Sequence, residues 1–504
     1  MEQHWLQTGN GKAVSCNQIP SLPYLAFNSA LTEALENKKR VVSWFGMEYG
    51  SDIRVFAVCS DNSQSALWVT STNFEAEQRS FPSLASRFPA VHLFECELYE
   101  QHGLLPENHP WLKPVRFEHG RKHSLGMHDY PFFHMDGAEV HEVGVGPVHA
   151  GVIEPGHFRF QCHGETVFHL EIQLGYQHRG LESLFLQKPL LRQAALAESI
   201  TGDTSIGHVW AYAQAMEGLT GVTPPERAQW LRVIALELER LAMHIGDLGA
   251  LSGDIAFLPG LSVYGRLRTE VINTSMALSG SRFGRGLIRP GGVVYDVDSQ
   301  FLAEYLPRML THVEKDMDGI NEMLIESPSV IPRLEHTGLL STAVASEIGV
   351  VGFVARSSGI AMDSRHDHPY GGYVSLKSRM GAIPTFRWGD VEARTKLRIA
   401  EAKQSIQLIW LSLIHLNDQS SISTPCTTDQ IQPDSLVVSM VEGWRGEVVH
   451  CVVTGPNRET LRYKIKDPSF HNWFGLAQAL RNNGISDFPL CNKSFNLSYS
   501  GFDL

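Results

Sequence analysis

No apolar run in this sequence approaches the roughly 18 to 20 residues that a membrane-spanning helix needs. The longest candidates lie around Ile406 to Leu416 and Ile348 to Ala355. Met1 to Pro20 lacks a basic segment followed by an apolar one, so no secretory signal is read there and a cytoplasmic location is expected. Paired cysteines are missing as well: the seven cysteines stand at 16, 59, 96, 162, 426, 451 and 491, none at the two-residue gap that metal and redox motifs use. Neither a disulfide framework nor a zinc or iron–sulfur cradle is visible, and free thiols in a reducing compartment are expected. Basic excess is lacking too: 42 Lys and Arg face 54 Asp and Glu, a net charge of −12, which argues against nucleic-acid binding. The glycine-rich turn that cradles a dinucleotide is also missing. The nearest pattern is Gly284-Arg-Gly286 without its third glycine, so direct NAD binding is not expected.

What is there is a long, apolar-rich chain. Its 504 residues are 43% hydrophobic and 19% charged, enough to bury more than one core and to exclude global disorder. Alternation in Arg54-Val-Phe-Ala-Val and Ala66-Leu-Trp-Val-Thr predicts strands between Val41 and Val69. Glu95-Cys-Glu-Leu-Tyr-Glu-Gln-His predicts a short helix stopped by Gly103. Residues 1–117 thus read as an α+β domain, and residues 118–148, with little periodicity, as a linker on the surface. Residues 149–504 read as a mainly α-helical bundle with β-hairpins at its edge. The hairpins open it, as in His157-Phe-Arg-Phe-Gln. Helices follow, one from Thr223-Pro-Pro-Glu226, where Thr223 can cap, with a stripe of Leu231, Ile234, Leu238, Leu241, Ile245 and Leu248. Others are expected from about Ser299 to Ile325 and from about Asp390 to Leu416.

Ten of the 23 histidines fall between His119 and His178, yet none forms the helical His-x-x-x-His pair of a zinc site. More informative are Gly146-Pro-Val-His-Ala-Gly-Val-Ile-Glu-Pro-Gly-His, Gly175-Tyr-Gln-His-Arg-Gly-Leu-Glu and Glu198-Ser-Ile-Thr-Gly-Asp-Thr-Ser-Ile-Gly-His. They are followed by Pro225-Glu-Arg-Ala, Glu239-Arg-Leu-Ala-Met-His, Arg289-Pro-Gly-Gly-Val, Arg356-Ser-Ser-Gly-Ile-Ala-Met-Asp-Ser-Arg and Gly389-Asp-Val-Glu-Ala-Arg, and by the tail from Asp467-Pro-Ser-Phe to Leu504. In order and spacing these resemble the large subunit of energy-converting (formate-hydrogenlyase-type, hydrogenase-4-type) [NiFe] hydrogenases and the 49 kDa subunit of respiratory complex I. Through Glu95-Cys-Glu-Leu-Tyr-Glu-Gln-His-Gly and His109-Pro-Trp-Leu, the N-terminal domain resembles the complex I 30 kDa subunit. The resemblance covers nearly the whole chain.

It implies a nickel–iron centre held by two Cys-x-x-Cys pairs, and here the sequence departs. The first pair falls on Thr201-Gly-Asp-Thr204 and the second on Ser498-Tyr-Ser-Gly501. Hydroxyls are poor replacements for thiolates and glycine offers no side-chain ligand, so a bound NiFe centre is not expected. The quinone contacts that the resemblance implies are lost too, since Gly202 stands at the tyrosine position and Pro155 near the histidine. What the resemblance leaves is a polar set around the vacated cavity: Glu154, matching the hydrogenase proton-gating glutamate, with Asp203, His208, Arg356, Asp363 and Arg365. Arg394, Arg398 and Glu401, with Glu237, Glu239 and Arg240, read either as charges near a membrane arm or as solvated helix faces. Cys162 and Cys491 are expected to be buried and inert.

The resemblance implies a hydrophilic large subunit of a membrane-bound, complex-I-like oxidoreductase that couples electron transfer to ion translocation. No cofactor is expected on this chain. Iron–sulfur clusters would sit in partners: a small cluster-binding subunit like the complex I 20 kDa subunit and a ferredoxin-like subunit, beside antiporter-like membrane subunits. The chain would lie peripherally on the inner face of the cell membrane. A non-catalytic coupling or scaffold subunit is the alternative, with quinone reduction and active hydrogenase behind it.

Overall fold

The computed structural model of the chain describes residues 2–122, 125–149, 153–416 and 420–504. Antiparallel strands Arg40–Tyr49, Asp52–Asp61 and Ala66–Phe74 form the centre of a five-stranded sheet, extended at its edge by Leu6–Thr8 and Ser21–Leu22. Tyr24–Glu36 packs Phe27, Ala30, Leu31 and Ala34 onto one face of this region. The helix His92–His102 stops where Gly103 turns left-handed at φ 70°.

Residues 118–148, expected to be a linker, carry more structure than the absence of periodicity suggested. Val140–Val145 pairs antiparallel with His157–His163, which in turn pairs with Thr166–Gln173. Its side chains are half-buried or exposed, as befits an edge strand, so no strong apolar alternation marks it.

The helices follow the expected order. Glu226–Asp254 and Leu258–Ser279 lie against each other, and Val391–Leu413 packs against the former. Leu306–Glu326 begins after a π-helical turn at Phe301–Tyr305 and ends before Pro328. Thr223 does not cap its helix: the helix starts at Glu226 with Pro225 in the cap position and no side-chain cap. Two consecutive prolines hold the chain extended ahead of the first turn, moving the cap past Thr223.

One sheet was not expected in the second half. Ser435–Gly443, Gly446–Thr454 and Thr460–Lys466 form an antiparallel meander, joined at its edge by Val14–Ser15. It lies in the interior rather than at the rim of a bundle. Its period-2 alternation is complete: Leu436, Val438, Met440, Val449, Cys451 and Val453 face Phe45, Phe56, Val58 and Val69 of the N-terminal sheet. Val437, Val441, Val448, Val452, Tyr463 and Ile465 face the helical core instead. This sheet joins the two halves and presents His450 and Tyr463 to the helix Ser205–Thr220.

Candidate functional site

The four positions at which the resemblance placed cysteines are close to one another in part, and a fifth residue ties them. Thr201 and Ser498 share a hydrogen bond between hydroxyls at 3.4 Å, and the Ser498 hydroxyl accepts from Gly501 N at 2.9 Å, capping the final helix Tyr499–Asp503. Asp467 reaches in from the end of strand Thr460–Lys466, and its Oδ2 accepts from Thr201 Oγ1 at 3.3 Å and pairs with His208 Nε2 at 3.0 Å. A Cβ built on Gly501 would stand 2.6 Å from Thr201 Oγ1 and 2.8 Å from Asp467 Oδ2, so the room a side chain would need at 501 is taken. Burial works against the Asp467 carboxylate, but the hydrogen bond from His208, with the charge of Arg445, outweighs it and holds its pKa below the usual range.

Thr204 turns the other way. Its hydroxyl accepts from Arg445 Nη1 at 3.3 Å, and Arg445 clamps Asp203 with two bonds, at 2.5 and 2.8 Å. Trp444 Nε1 donates to Asp203 O at 2.9 Å. The loop 201–204 is thereby fastened to the hairpin turn at Trp444 and Arg445. The helix Ser205–Thr220 has no side-chain cap of its own; Glu239 supplies one from a neighbouring helix, accepting from Ile206 N at 2.8 Å and Gly207 N at 3.2 Å. Burial pushes the Glu239 carboxyl up to about 8, with backbone bonds opposing and Asp203 reinforcing.

Of the residues singled out in the sequence, Asp203 and His208 thus meet this place, through Arg445 and Asp467. Glu154 is half-buried beside the same tail, within electrostatic reach of Arg179, Tyr499 and Asp503. The adjoining Ala150 to Val152 lie outside the described residues. Arg356, Asp363 and Arg365 join a different network. Arg356 bonds Glu401 and Glu442, each at 2.7 Å, while Arg365 bonds Asp363 at 2.7 Å and Glu237 at 2.9 Å. Tyr373 and Ser405 donate to Glu237, and His244 pairs with Glu401 at 2.9 Å. The two networks meet along the 442–445 turn, where Arg240 donates to the carbonyls of Glu442 and Gly443.

These charges do not form solvated helix faces. Glu237, Arg240, Arg394, Arg398 and Glu401 are fully buried, and Glu239 nearly so. Arg394 donates to Gly338 O, Gly389 O and Ser494 Oγ, and Arg398 pairs with Asp247 at 2.9 Å. Helical spacing of charges is ambiguous between surface and core, and here every charge has a partner across an element boundary, which permits burial. Cys491 lies against Gly338 and Arg394, and burial pushes its thiol up to about 11. Cys162 is buried among Phe158, Phe160 and Val167. Among the described residues no cluster of His, Cys, Asp and Glu is arranged to hold a metal ion.

Sequence reasoning missed Asp467, Arg445, His450 and Tyr463. Asp467 was legible as the first residue of the tail motif, but its contact with Thr201 depends on the unforeseen sheet. That sheet also places His450 Nε2 3.2 Å from His208 Nδ1 and His450 Nδ1 2.8 Å from the Tyr463 hydroxyl.

Against this geometry, known proteins give a consistent answer. The family described as the respiratory-chain NADH dehydrogenase 49 Kd subunit matches residues 254–429 and 420–504. The carbon monoxide-induced hydrogenase of Rhodospirillum rubrum is 32% identical over 353 residues, covering 70% of this chain and 96% of that protein. The chain belongs to the hydrogenase large-subunit and complex I 49 kDa family. Hydrogenase-4 component G of Escherichia coli is 28% identical over 91% of this chain and 84% of its own length. A chain of an archaeal membrane-bound sulfane sulfur reductase shares the fold, with a TM-score of 0.67 over 73% of this chain and 99% of that one, at 24% identity. The relatives are thus subunits of hydrogenase and complex I-like oxidoreductase assemblies. No helix among the described residues is long and apolar enough to cross a membrane.

Proposed function

We propose that this chain is the hydrophilic large subunit of a membrane-bound, complex-I-like oxidoreductase that couples electron transfer to ion translocation without a nickel–iron centre. The observation that carries this reading is the donor set: Thr201, Thr204, Ser498 and Gly501 supply no thiolate, and the Asp467 carboxylate stands where a side chain at 501 would go. Soft nickel and iron ligation is not offered by these hydroxyls: those of Thr201 and Ser498 are engaged with each other, Thr201 also with Asp467, and that of Thr204 with Arg445. The residues present can instead hold charge and move protons. Asp203 is ion-paired with Arg445 and Asp467 is hydrogen-bonded to His208 at one end of a buried polar array, and Glu154 flanks the same tail. Electrons would arrive from an iron–sulfur cluster in a small partner subunit, with ferredoxin-like and antiporter-like subunits completing the assembly on the inner face of the membrane.

The buried network of Arg356, Arg365, Glu237, Glu401 and Glu442 favours a second reading, a coupling subunit that performs no bond chemistry. Hydrogen bonds in such networks strengthen one another, and this one links four helices to the inner sheet. Purification of the intact complex by a tag on this chain tests the assembly: cluster-binding and antiporter-like partners should co-purify, and their absence would refute it. Glu154→Gln and Asp203→Asn separate the two roles. Both should abolish turnover in assembled complexes under the redox reading, and both should be tolerated under pure scaffolding.

A further inference from the structure

Four buried side chains form a continuous hydrogen-bonded row that ends at the Thr201–Ser498–Gly501 cluster. Asp467 Oδ2 meets His208 Nε2 at 3.0 Å, His208 Nδ1 meets His450 Nε2 at 3.2 Å, and His450 Nδ1 meets the Tyr463 hydroxyl at 2.8 Å. All four are at most 1% exposed. They come from three places in the chain: the helix Ser205–Thr220, the strand Gly446–Thr454, and the strand Thr460–Lys466 with its following residue. Tyr463 is fixed by Phe185, whose ring stacks on it at 4.0 Å between centroids.

Donor and acceptor chemistry restricts how this row holds its protons. An ionised Asp467 only accepts, so His208 Nε2 carries a hydrogen. One hydrogen then lies between the two imidazoles and one between His450 and Tyr463. In the first arrangement His208 is neutral, His450 Nε2–H donates to His208 Nδ1, and Tyr463 donates to His450 Nδ1. In the second, His208 is an imidazolium whose Nδ1–H donates to His450 Nε2, and His450 Nδ1–H donates to the Tyr463 oxygen. They differ by one proton and by reversal of two hydrogen bonds, with no heavy atom displaced.

We propose that Asp467, His208, His450 and Tyr463 form a proton relay that charges His208 beside the substituted metal position. In the uptake step the Tyr463 oxygen accepts a proton delivered as hydronium, which leaves as water, and releases its own proton to His450 Nδ1. The N–H bond at His450 Nε2 breaks as one forms at His208 Nδ1. Tyr463 ends unchanged, His450 has switched tautomer, and one proton has been added to His208, opposite Asp467. This rests on the redox reading above: a negative charge arriving in this region would be compensated by that proton. His450 and Tyr463 are positioning and relay residues, while His208 is the proton holder. Other groups bear on the row from the packed elements: Arg445 on Asp467, Glu182 on His450, and Tyr212 and Cys451 on Tyr463.

Infrared difference spectroscopy on the intact complex, recorded on chemical reduction in H2O and D2O, tests this. Reduction of the wild type should give imidazole bands shifted by deuterium together with a perturbed tyrosine band. Tyr463→Phe keeps the ring stack; it should lose the tyrosine band, retain assembly and slow turnover roughly 10²-fold, with an enlarged solvent isotope effect. His450→Gln keeps one hydrogen bond and cannot titrate, and should match it. Turnover that persists with no imidazole band, or with both variants at wild-type rate and isotope effect, overturns the relay. A wild type without turnover, whose imidazole and tyrosine bands still change together on acidification, keeps the relay and overturns the redox reading instead.

Discussion

At position 501 the chain has no space for a side chain, and this yields a sharp residue-level expectation. Gly501→Ala should destabilise the protein by about 1–3 kcal/mol, because its methyl group would press on Thr201 Oγ1 and Asp467. Thr201→Ala should recover part of that loss in a double-mutant cycle, read by thermal unfolding, and strict additivity would show that the two do not meet. Buried charge gives a second expectation. Arg356→Met leaves Glu401 and Glu442 without their shared partner and should cost about 3–5 kcal/mol, whereas Arg266→Ala on the surface should cost under about 1 kcal/mol. Protonation gives a third. Burial lowers the pKa of His368 to about 4, against an unfolded value of about 6.5, so the unfolded chain binds this proton first as pH falls. The His368 contribution is complete above pH 6.5 and is lost between about 6.5 and 4. His368→Gln retains the contact to Asn62, so between pH 6.5 and 4 the wild type should lose on the order of 1–3 kcal/mol more stability than the variant. Parallel pH profiles would contradict this.

The elements show where the sequence was legible. The helix Val391–Leu413 begins at Asp390 as expected, and the structure supplies the reason: Asp390 Oδ1 accepts from Ala393 N at 2.8 Å, and Oδ2 accepts from His336 N at 2.9 Å. Asp390→Ala removes both bonds and should cost about 1–2 kcal/mol, measurable by chemical denaturation. Helices and N-terminal strands announced themselves through period and stop signals, as at Gly103. The first two strands of the meander did not, because Ser435–Gly443 and Gly446–Thr454 are buried on both faces and their valines fall on both, which breaks the polar alternation that marks a strand; Thr460–Lys466 does alternate, Leu461, Tyr463 and Ile465 with Arg462, Lys464 and Lys466. Asp467, His450 and Tyr463 were missed with it, since their meeting with His208 is a consequence of that sheet. The loop motif around Thr201 and the tail motif around Ser498 were legible as partners, and the structure joins them. Arg356, Asp363 and Arg365 were expected around the vacated cavity with Asp203 and His208, whereas the structure gathers them in a separate buried network. Their partners Glu237, Glu401 and Glu442 lie far away in sequence, which no spacing rule reaches.

Across the whole molecule, the N-terminal and C-terminal halves share a core. Arg40 pairs with Glu447, and Lys464 bonds Glu97 at 2.7 Å, both across the junction between halves. Residues 149–504 expressed alone would bare the face of Leu436, Val438 and Met440, and should aggregate or melt well below the full chain. A monomeric fragment of unchanged stability would contradict that. The most direct measurement is the nickel and iron content per copy of this chain, by elemental analysis of the intact complex purified from its native membranes. Iron from partner clusters and no stoichiometric nickel are expected. One nickel per chain would contradict this and return Thr201, Thr204, Ser498 and Gly501 to a hydrogenase centre.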